Sequence, residues 1–108
     1  MILVKDLTIL NLHSKLIEIA TWVMESFDLS VVTSAYRPGD KGVHGQLPCR
    51  GLDLRCRNKV VGTEVMKRTN EKWVYDPERL DYQVCVAHDQ GNGYHIHLQV
   101  HPNTQLRG

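Results

Sequence analysis

The sequence predicts a single small α+β domain over residues 1–108, with two helices packed on a small antiparallel sheet. Three observations support this prediction. The chain has 108 residues, too few for two hydrophobic cores. Two segments repeat apolar residues at helical spacing, and several short segments are β-branched or alternate apolar and polar residues, as strands do. No internal repeat and no Pro/Gly/Ser-rich linker divides the chain.

The first half of the chain predicts a helix followed by two strands. Leu7 to Phe27 carries apolar residues four, three, four and four positions apart, which is one face of an amphipathic helix: Leu12, Leu16, Ile19, Val23 and Phe27. The segment Ser30 to Ser34 is β-branched and predicts a strand, which runs into a loop from Arg37 to Arg50. Gly51 to Arg55 alternates and predicts a half-buried strand.

The second half predicts a helix and a β-hairpin. From Val60 to Trp73, the residues Val61, Val65, Thr69 and Trp73 are spaced four apart, which predicts a helix. Asp76-Pro77 ends that segment. Two alternating runs follow, Tyr82 to His88 and Tyr94 to Val100. The glycines and the asparagine between them suit a hairpin loop, because such loops need positive φ angles.

The last strand carries the most informative pattern. His95 and His97 are two residues apart, so they share one face of the strand. A hairpin that is symmetric about Gly91 would place His97 opposite Cys85. A register shifted by one residue would instead bring His88 onto the imidazole face.

Composition excludes several classes of partner. Thirteen Lys and Arg against twelve Asp and Glu give a net charge of +1, and the basic residues are scattered, so we expect no nucleic-acid partner. No apolar run approaches the ~20 residues that span a bilayer, and the N-terminal segment has no export-signal pattern. We therefore expect no membrane partner and a chain that is cytoplasmic at synthesis. Three cysteines without a C-x-x-C pair favour a reducing compartment.

Histidines and one aspartate form a candidate metal site. Asp53 alternates away from the apolar residues of its strand, His44 lies in the preceding loop, and His95 and His97 lie on the last strand. Imidazole and carboxylate are ligands that Zn²⁺ accepts, and a catalytic zinc keeps one position open beside three protein ligands. The alternative interpretation is a polar sheet face that binds no metal.

Two segments resemble a known family. They are VVTSAYRPGDKGVHGQLPCRGLDLR at Val31 to Arg55 and GYHIHLQV at Gly93 to Val100. They resemble the zinc D-alanyl-D-alanine peptidases and phage endolysins, a group related in fold to lysostaphin and to the hedgehog signalling domain. The order of the segments along the chain, from strand to loop to strand to hairpin, is also that of the family.

The resemblance implies a cofactor and roles for individual residues. Zn²⁺ would be held by His44, Asp53 and His97. His95 would be the neighbouring or catalytic imidazole, and Arg37 would contact a carbonyl or carboxylate of the substrate.

The general base is left open by the sequence. Many members of the family carry Glu or Asp three residues before the last zinc-binding histidine, and Tyr94 stands there in this chain. Asp89, in the hairpin loop, is the first candidate for the base and His95 is the second, because a base must lie within hydrogen-bond reach of the attacking water. Asp89 also suits a simple turn residue.

The resemblance predicts a zinc metallopeptidase that cleaves stem peptides of bacterial peptidoglycan. The enzyme would be endolysin-like, released by lysis or associated with a virion, and its oligomeric state and its cleaved bond stay open. One alternative is a non-catalytic zinc-binding module of the same fold, such as a structural component of a phage. Another is a metal-free interaction surface.

Overall fold

The computed structural model describes residues 3–4, 12–35, 41–43, 47–89 and 94–108, and it confirms the small α+β fold. The elements in chain order are β1 (Leu3–Val4), α1 (Ser14–Phe27), β2 (Val31–Ser34), β3 (Gly51–Arg55), α2 (Lys59–Lys72), β4 (Trp73–Val74), β5 (Cys85–Asp89), β6 (Tyr94–Gln99) and β7 (Gln105–Leu106). Both predicted helices and all four predicted strands are present. In the described part of the chain, no helix is long and apolar enough to cross a membrane.

The first helix begins later than the apolar pattern predicts. Helix α1 starts at Ser14, and His13 is its N-cap, whose Nδ1 accepts a hydrogen bond from the Lys15 backbone N–H at 3.2 Å. The prediction began the helix at Leu7. Residues 7–11 lie outside the described part, and Leu12 forms a bridge with Cys49 instead of a helical turn.

The described strands form a five-stranded sheet in the order β1-β2-β3-β6-β5, while β4 and β7 pair separately. Strands β2, β3, β6 and β5 each pair antiparallel with their neighbours, and the two-residue β1 joins β2 in parallel. Strand β6, which follows β5 in the sequence, therefore lies between β3 and β5. This arrangement brings residues from the middle and the end of the sequence side by side.

One face of the sheet packs against the helices. Strands and helices both contribute fully buried side chains to this core, among them Leu52, Leu54, Ile96, Leu98, Leu16, Ile19, Val23 and Val65. Trp22 and Trp73 meet edge to face, with ring centroids 5.2 Å apart. These tryptophans are packing residues. The three cysteines are buried and free.

The hairpin register differs from the symmetric one predicted about Gly91. Strand β5 pairs with β6 so that His88 lies opposite His95 and Cys85 opposite Leu98, so the prediction that Cys85 faces His97 is wrong. The physical reason is burial. The observed register puts the side chain of Cys85, which is fully buried, on the core face, and it puts His88 on the other face.

An asparagine of α2 completes the hydrogen bonding of β5 at the edge of the sheet. The Asn70 side chain donates through Nδ2 to the Cys85 carbonyl at 2.9 Å, and its Oδ1 accepts from the Cys85 N–H at 3.1 Å. The amide thus takes the place of a neighbouring strand at this residue. It fixes the helix against the strand that carries His88.

Candidate functional site

Polar side chains from three strands share the face of the sheet that the helices leave open. The pairing of β3 with β6 places Asp53 opposite His97 and Arg55 opposite His95. On the other side of β6, His88 lies opposite His95. Because side chains alternate along strands, these five residues all point to one face. The topology therefore builds a polar site from residues that are far apart in sequence.

Asp53 and His97 are in direct side-chain contact in this site. Oδ1 of Asp53 lies 2.9 Å from Nδ1 of His97, although the two residues are 44 positions apart in the chain. Asp53 is only 7% exposed. Its carboxylate is thus held beside an imidazole with little access to bulk water. We call these two residues the Asp53–His97 pair.

The second nitrogen of His97 is also engaged. Its Nε2 lies 3.1 Å from Oε1 of Gln99, and Nε2 of Gln99 donates to the Gln83 carbonyl at 2.7 Å. The Gln83 carbonyl fixes the orientation of the Gln99 amide, because only its nitrogen can donate there. His97 is therefore flanked by two acceptors, a carboxylate oxygen and an amide oxygen. His97 can donate a hydrogen bond to each of these acceptors only when both of its ring nitrogens carry protons.

A divalent cation could take the place of the proton between His97 and the Asp53 carboxylate. When Nε2–H of His97 donates to Gln99, the unprotonated Nδ1 of His97 can coordinate a metal together with the Asp53 carboxylate. Metal-binding histidines usually donate their other ring N–H in this way. Two ligand atoms on one tetrahedral zinc lie roughly 3.3 Å apart. The observed 2.9 Å is close to that separation. The pair thus fits two of the three predicted zinc ligands.

The third predicted ligand, His44, lies outside the described residues, and so does Arg37. Within the described residues, no group of three or more His, Cys, Asp and Glu side chains is arranged to hold a metal. The zinc site and the role of Arg37 therefore stay predictions. The geometry brings together two of the predicted ligands, Asp53 and His97, with His95 on the same face.

His88 joins the site through the hairpin register that is shifted by one residue from the symmetric one. Its ring centroid lies 4.5 Å from that of His95 and 6.2 Å from that of His97. Its Nε2 is buried and has no hydrogen-bond partner among the described residues. Desolvation lowers the pKa of His88, and the neighbouring imidazoles of His95 and His97 lower it further, while Asp53 opposes them. A neutral imidazole with an unused nitrogen therefore faces the site.

Two residues bear on the identity of the general base. Asp89 is exposed and pairs with Tyr94 at the end of the hairpin, so alternation directs it to the face opposite that of His88. Tyr94, at the position of the family carboxylate, packs over Gly62 of α2, where an added Cβ would collide with its ring. The Tyr94 hydroxyl donates to the Lys59 carbonyl at 3.5 Å. The register thus favours His95 over Asp89, whose catalytic role stays a prediction.

Comparisons of this chain with protein-family models, with curated proteins and with solved structures gave no match.

Proposed function

We propose that this protein is a zinc-dependent peptidase that hydrolyses stem peptides of bacterial peptidoglycan. The zinc ligands are His44, Asp53 and His97. The observation that carries the proposal is the 2.9 Å contact between Asp53 and His97, two ligands that the resemblance assigns to one metal. Their position directly opposite each other on β3 and β6 supports a site that the sheet itself holds in shape.

The side chains around the pair carry the proton transfers. A zinc ion held by His44, Asp53 and His97 would supply an acidified water molecule and a polarised peptide carbonyl. His95 follows the same face of β6 as His97, accepts the proton of the attacking water and then passes it to the leaving amine. Asp89 is the other candidate for this base. Arg37 stabilises the charge that develops on the carbonyl oxygen, and loss of one such donor typically reduces turnover by about 10²–10³.

Gln99 and Gln83 have a supporting role in this mechanism. The chain of contacts from the Gln83 carbonyl through the Gln99 amide to Nε2 of His97 fixes the orientation of the ring and the site of its proton. Partners of this kind typically change metal affinity or activity by about 10–100-fold when they are removed. Gln99 is therefore a positioning residue for His97.

A second candidate function is a zinc-binding interaction module without catalysis. The observation that favours it is Tyr94, which fills the position of the family carboxylate and packs against α2. A module of this kind needs the metal only for its shape. It makes no use of His95 as a base.

Metal analysis and product analysis together separate these functions. Protein purified without added zinc is titrated with Zn²⁺, and the zinc-loaded protein is incubated with purified peptidoglycan from several wall types and analysed by mass spectrometry. We expect one bound zinc per chain and released peptide fragments. Asp53→Asn should lose both, whereas Asp81→Asn, the same change at an exposed turn position, should keep both.

Each failure has its own meaning. Zinc binding without released fragments favours the interaction module. No zinc binding on titration would remove both zinc functions and leave a metal-free sheet face.

A further inference from the structure

A cleft lies where the segment after β4 meets the segment between β6 and β7. It has a volume of about 380 Å³ and shares no residue with the polar site on the open sheet face. Lys15, at the start of α1, forms part of its wall together with Asp76, Pro77, Glu78 and Pro102. We call it the Asp76 cleft. The proposed peptidase mechanism makes no use of it.

Hydrogen bonds join the two segments that form the cleft. The Thr104 hydroxyl donates to the Tyr75 carbonyl at 2.7 Å, and its oxygen accepts the His101 N–H at 2.9 Å. Tyr75 directly precedes Asp76 in the chain, and β4 and β7 pair beside this point. The backbone on both sides of the cleft is therefore held in place by the fold, which favours a site of defined shape.

Asp76 is a buried carboxylate with one oxygen that accepts no hydrogen bond. Its side chain is only 4% exposed, and its Oδ1 accepts the Glu78 N–H at 3.0 Å. Oδ2 lies 3.6 Å from Nδ1 of His101, but that nitrogen accepts the Asn103 N–H at 3.0 Å and so cannot donate to Asp76. No other described residue donates to Oδ2. Asp76 thus lines the cleft with an unused acceptor.

Lys15 lines the same cleft without neutralising its carboxylates. The Lys15 ammonium donates to the Pro102 carbonyl, and across the described ranges it forms no ion pair with Asp76 or with Glu78. A carboxylate with little access to water is costly unless a charge or hydrogen bonds compensate it. The Asp76 cleft can therefore take a cationic group from outside the chain.

The size and lining of the cleft indicate which cation fits. A volume of 380 Å³ is far larger than the roughly 30 Å³ of one water molecule, so a bare metal ion would leave most of the cleft unfilled. The rings of Pro77 and Pro102 add apolar surface beside the carboxylates. An ammonium on an aliphatic stem uses both features, because the stem packs on apolar surface while the head reaches a carboxylate.

We propose that the Asp76 cleft binds the ammonium group of a lysine or other diamino-acid side chain in a peptide. Oδ2 of Asp76 accepts a hydrogen bond from the ammonium, and the exposed Glu78 adds a second negative charge. The inference goes beyond the proposed function, since it needs neither zinc nor cleavage of a peptide bond. The α-amino group of a peptide N-terminus has the same chemistry, and the experiment separates these two sources.

The experiment measures binding to the full chain without zinc. N-acetyl-lysine amide, its Nε-acetylated derivative, and alanine amide with a free α-amino group are titrated into ¹⁵N-labelled protein and followed by amide chemical shifts. We expect the lysine probe to bind about 10–100-fold more tightly than its acetylated derivative, since hydrogen bonds between charged groups are the strong ones. The alanine probe has no aliphatic stem and should bind no more tightly than the acetylated derivative.

Carboxylate variants test the assignment to Asp76. Asp76→Asn keeps an oxygen for the Glu78 N–H but removes the charge, so the preference for the lysine probe should fall about tenfold or more. Glu78→Gln, at an exposed position, should weaken binding of the lysine probe only about two- to fivefold. Asp81→Asn removes the same charge from an exposed turn and should leave the preference unchanged. Urea unfolding shows whether each variant is folded.

Lys15→Met provides a test that leaves both carboxylates in place. It removes a like charge from the wall of the cleft while keeping an unbranched side chain, so the lysine probe should bind about two- to fivefold more tightly. Weaker binding in this variant would place the probe outside the cleft and overturn the assignment.

The remaining outcomes are independent of the proposed function, because none of them involves zinc or hydrolysis. Equal binding of the lysine probe and its acetylated derivative to the wild-type protein overturns the cleft as an ammonium site. Binding of the alanine probe as tightly as the lysine probe overturns the assignment to side chains. An equal loss of preference in Asp81→Asn and Asp76→Asn would reduce the effect to the general field of the protein and overturn the proposal.

Discussion

At the scale of single residues, His95 and His97 show how two identical side chains on one strand acquire different chemistry. His97 is fixed at both nitrogens, by Asp53 and by Gln99. His95 lies two residues earlier on the same strand, opposite Arg55 on one side and His88 on the other, with its ring centroid 4.5 Å from that of His88. A metal ligand has to be fixed in orientation, so we expect zinc binding at His97. In the proposed mechanism the proton transfer belongs to His95.

Substitution by alanine should separate these two roles. His97→Ala should lose zinc and also destabilise the protein by about 1–3 kcal/mol, because it removes the imidazole beside the buried Asp53 carboxylate. His95→Ala should keep zinc and lose turnover by about 10²–10⁴-fold, the usual contribution of a general base. Zinc content, urea unfolding and peptide hydrolysis are measured for both variants.

Two controls complete this test. His101→Ala removes an imidazole that lies outside the site, beside Asp76 and Tyr75, and should keep both zinc and turnover. Asp89→Asn tests the other candidate for the base, and full activity in that variant would assign the role to His95. Release of zinc by His95→Ala would contradict the assignment of roles within the pair of histidines.

The residues of the site differ in how far the sequence predicts them. Alternation alone puts Asp53 on the polar face of its strand, and it puts His95 and His97 together on one face of theirs. The structure bears out both placements. His88 depends on the hairpin register, and periodicity cannot choose between registers that differ by one residue. The core decides it, because Cys85 is fully buried in the observed register. No sequence pattern singles out Arg55, because its neighbours in the site, His95 and His88, are distant in the sequence and come from other strands.

At the scale of elements, α1 depends on an unusual N-cap. His13 caps the helix by accepting the Lys15 N–H at its Nδ1, which requires an unprotonated nitrogen. Desolvation lowers the pKa of His13, and the charges of Lys15 and Arg50 lower it further. Because the pKa is lower in the folded protein than in the unfolded chain, this cap contributes fully above about pH 6.5. Its contribution is lost as the pH falls through the folded pKa.

Replacement of this cap should therefore change how stability depends on pH. His13→Asn keeps a good capping side chain without a titrating group. We expect the variant to have a stability similar to that of the wild type at pH 8 and to be the more stable protein at pH 5. Urea unfolding at the two pH values measures the difference. A difference between variant and wild type that does not change with pH would contradict this account of the cap.

The contact between α2 and β5 gives a second prediction for the elements. Asn70→Ala removes both hydrogen bonds to the Cys85 backbone and leaves these partly buried groups without that partner. We expect a loss of about 1–3 kcal/mol in the free energy of unfolding. Asn103→Ala is the matched control, because Asn103 is exposed and uses only its backbone N–H, which donates to His101. Equal effects of the two substitutions would show that the contact contributes nothing.

At the scale of the whole molecule, the site depends on strand order, which the sequence patterns do not contain. Periodicity predicts β2, β3, β5 and β6 and the faces of their side chains. It does not say that β6 lies between β3 and β5, or that Asp53 meets His97 across 44 residues. The pairing is set by burial of Leu52, Leu54, Ile96 and Leu98 in one core. The family resemblance implied the meeting of Asp53 with His97, and the packed sheet supplies a physical reason for it.

Metal binding at such a site should stabilise the whole fold. The proposed ligands belong to β3, to β6 and to the segment before β3, so the site exists only in the folded chain, and zinc then stabilises folding by mass action. At zinc concentrations about 100 times the Kd, the free energy of unfolding should rise by about 2.7 kcal/mol. For a domain of this size, that increase raises the Tm by roughly 10 °C or more.

Thermal unfolding with and without Zn²⁺ measures this coupling, and a chelator should reverse it. Mg²⁺ serves as the control cation, since it prefers oxygen ligands and water to imidazole and should leave the Tm unchanged. Asp53→Asn should abolish the zinc-dependent increase, whereas Asp81→Asn should keep it. A zinc-dependent increase of the same size in Asp53→Asn would place the metal elsewhere in the molecule, because the open sheet face would then have lost one of its ligands without effect.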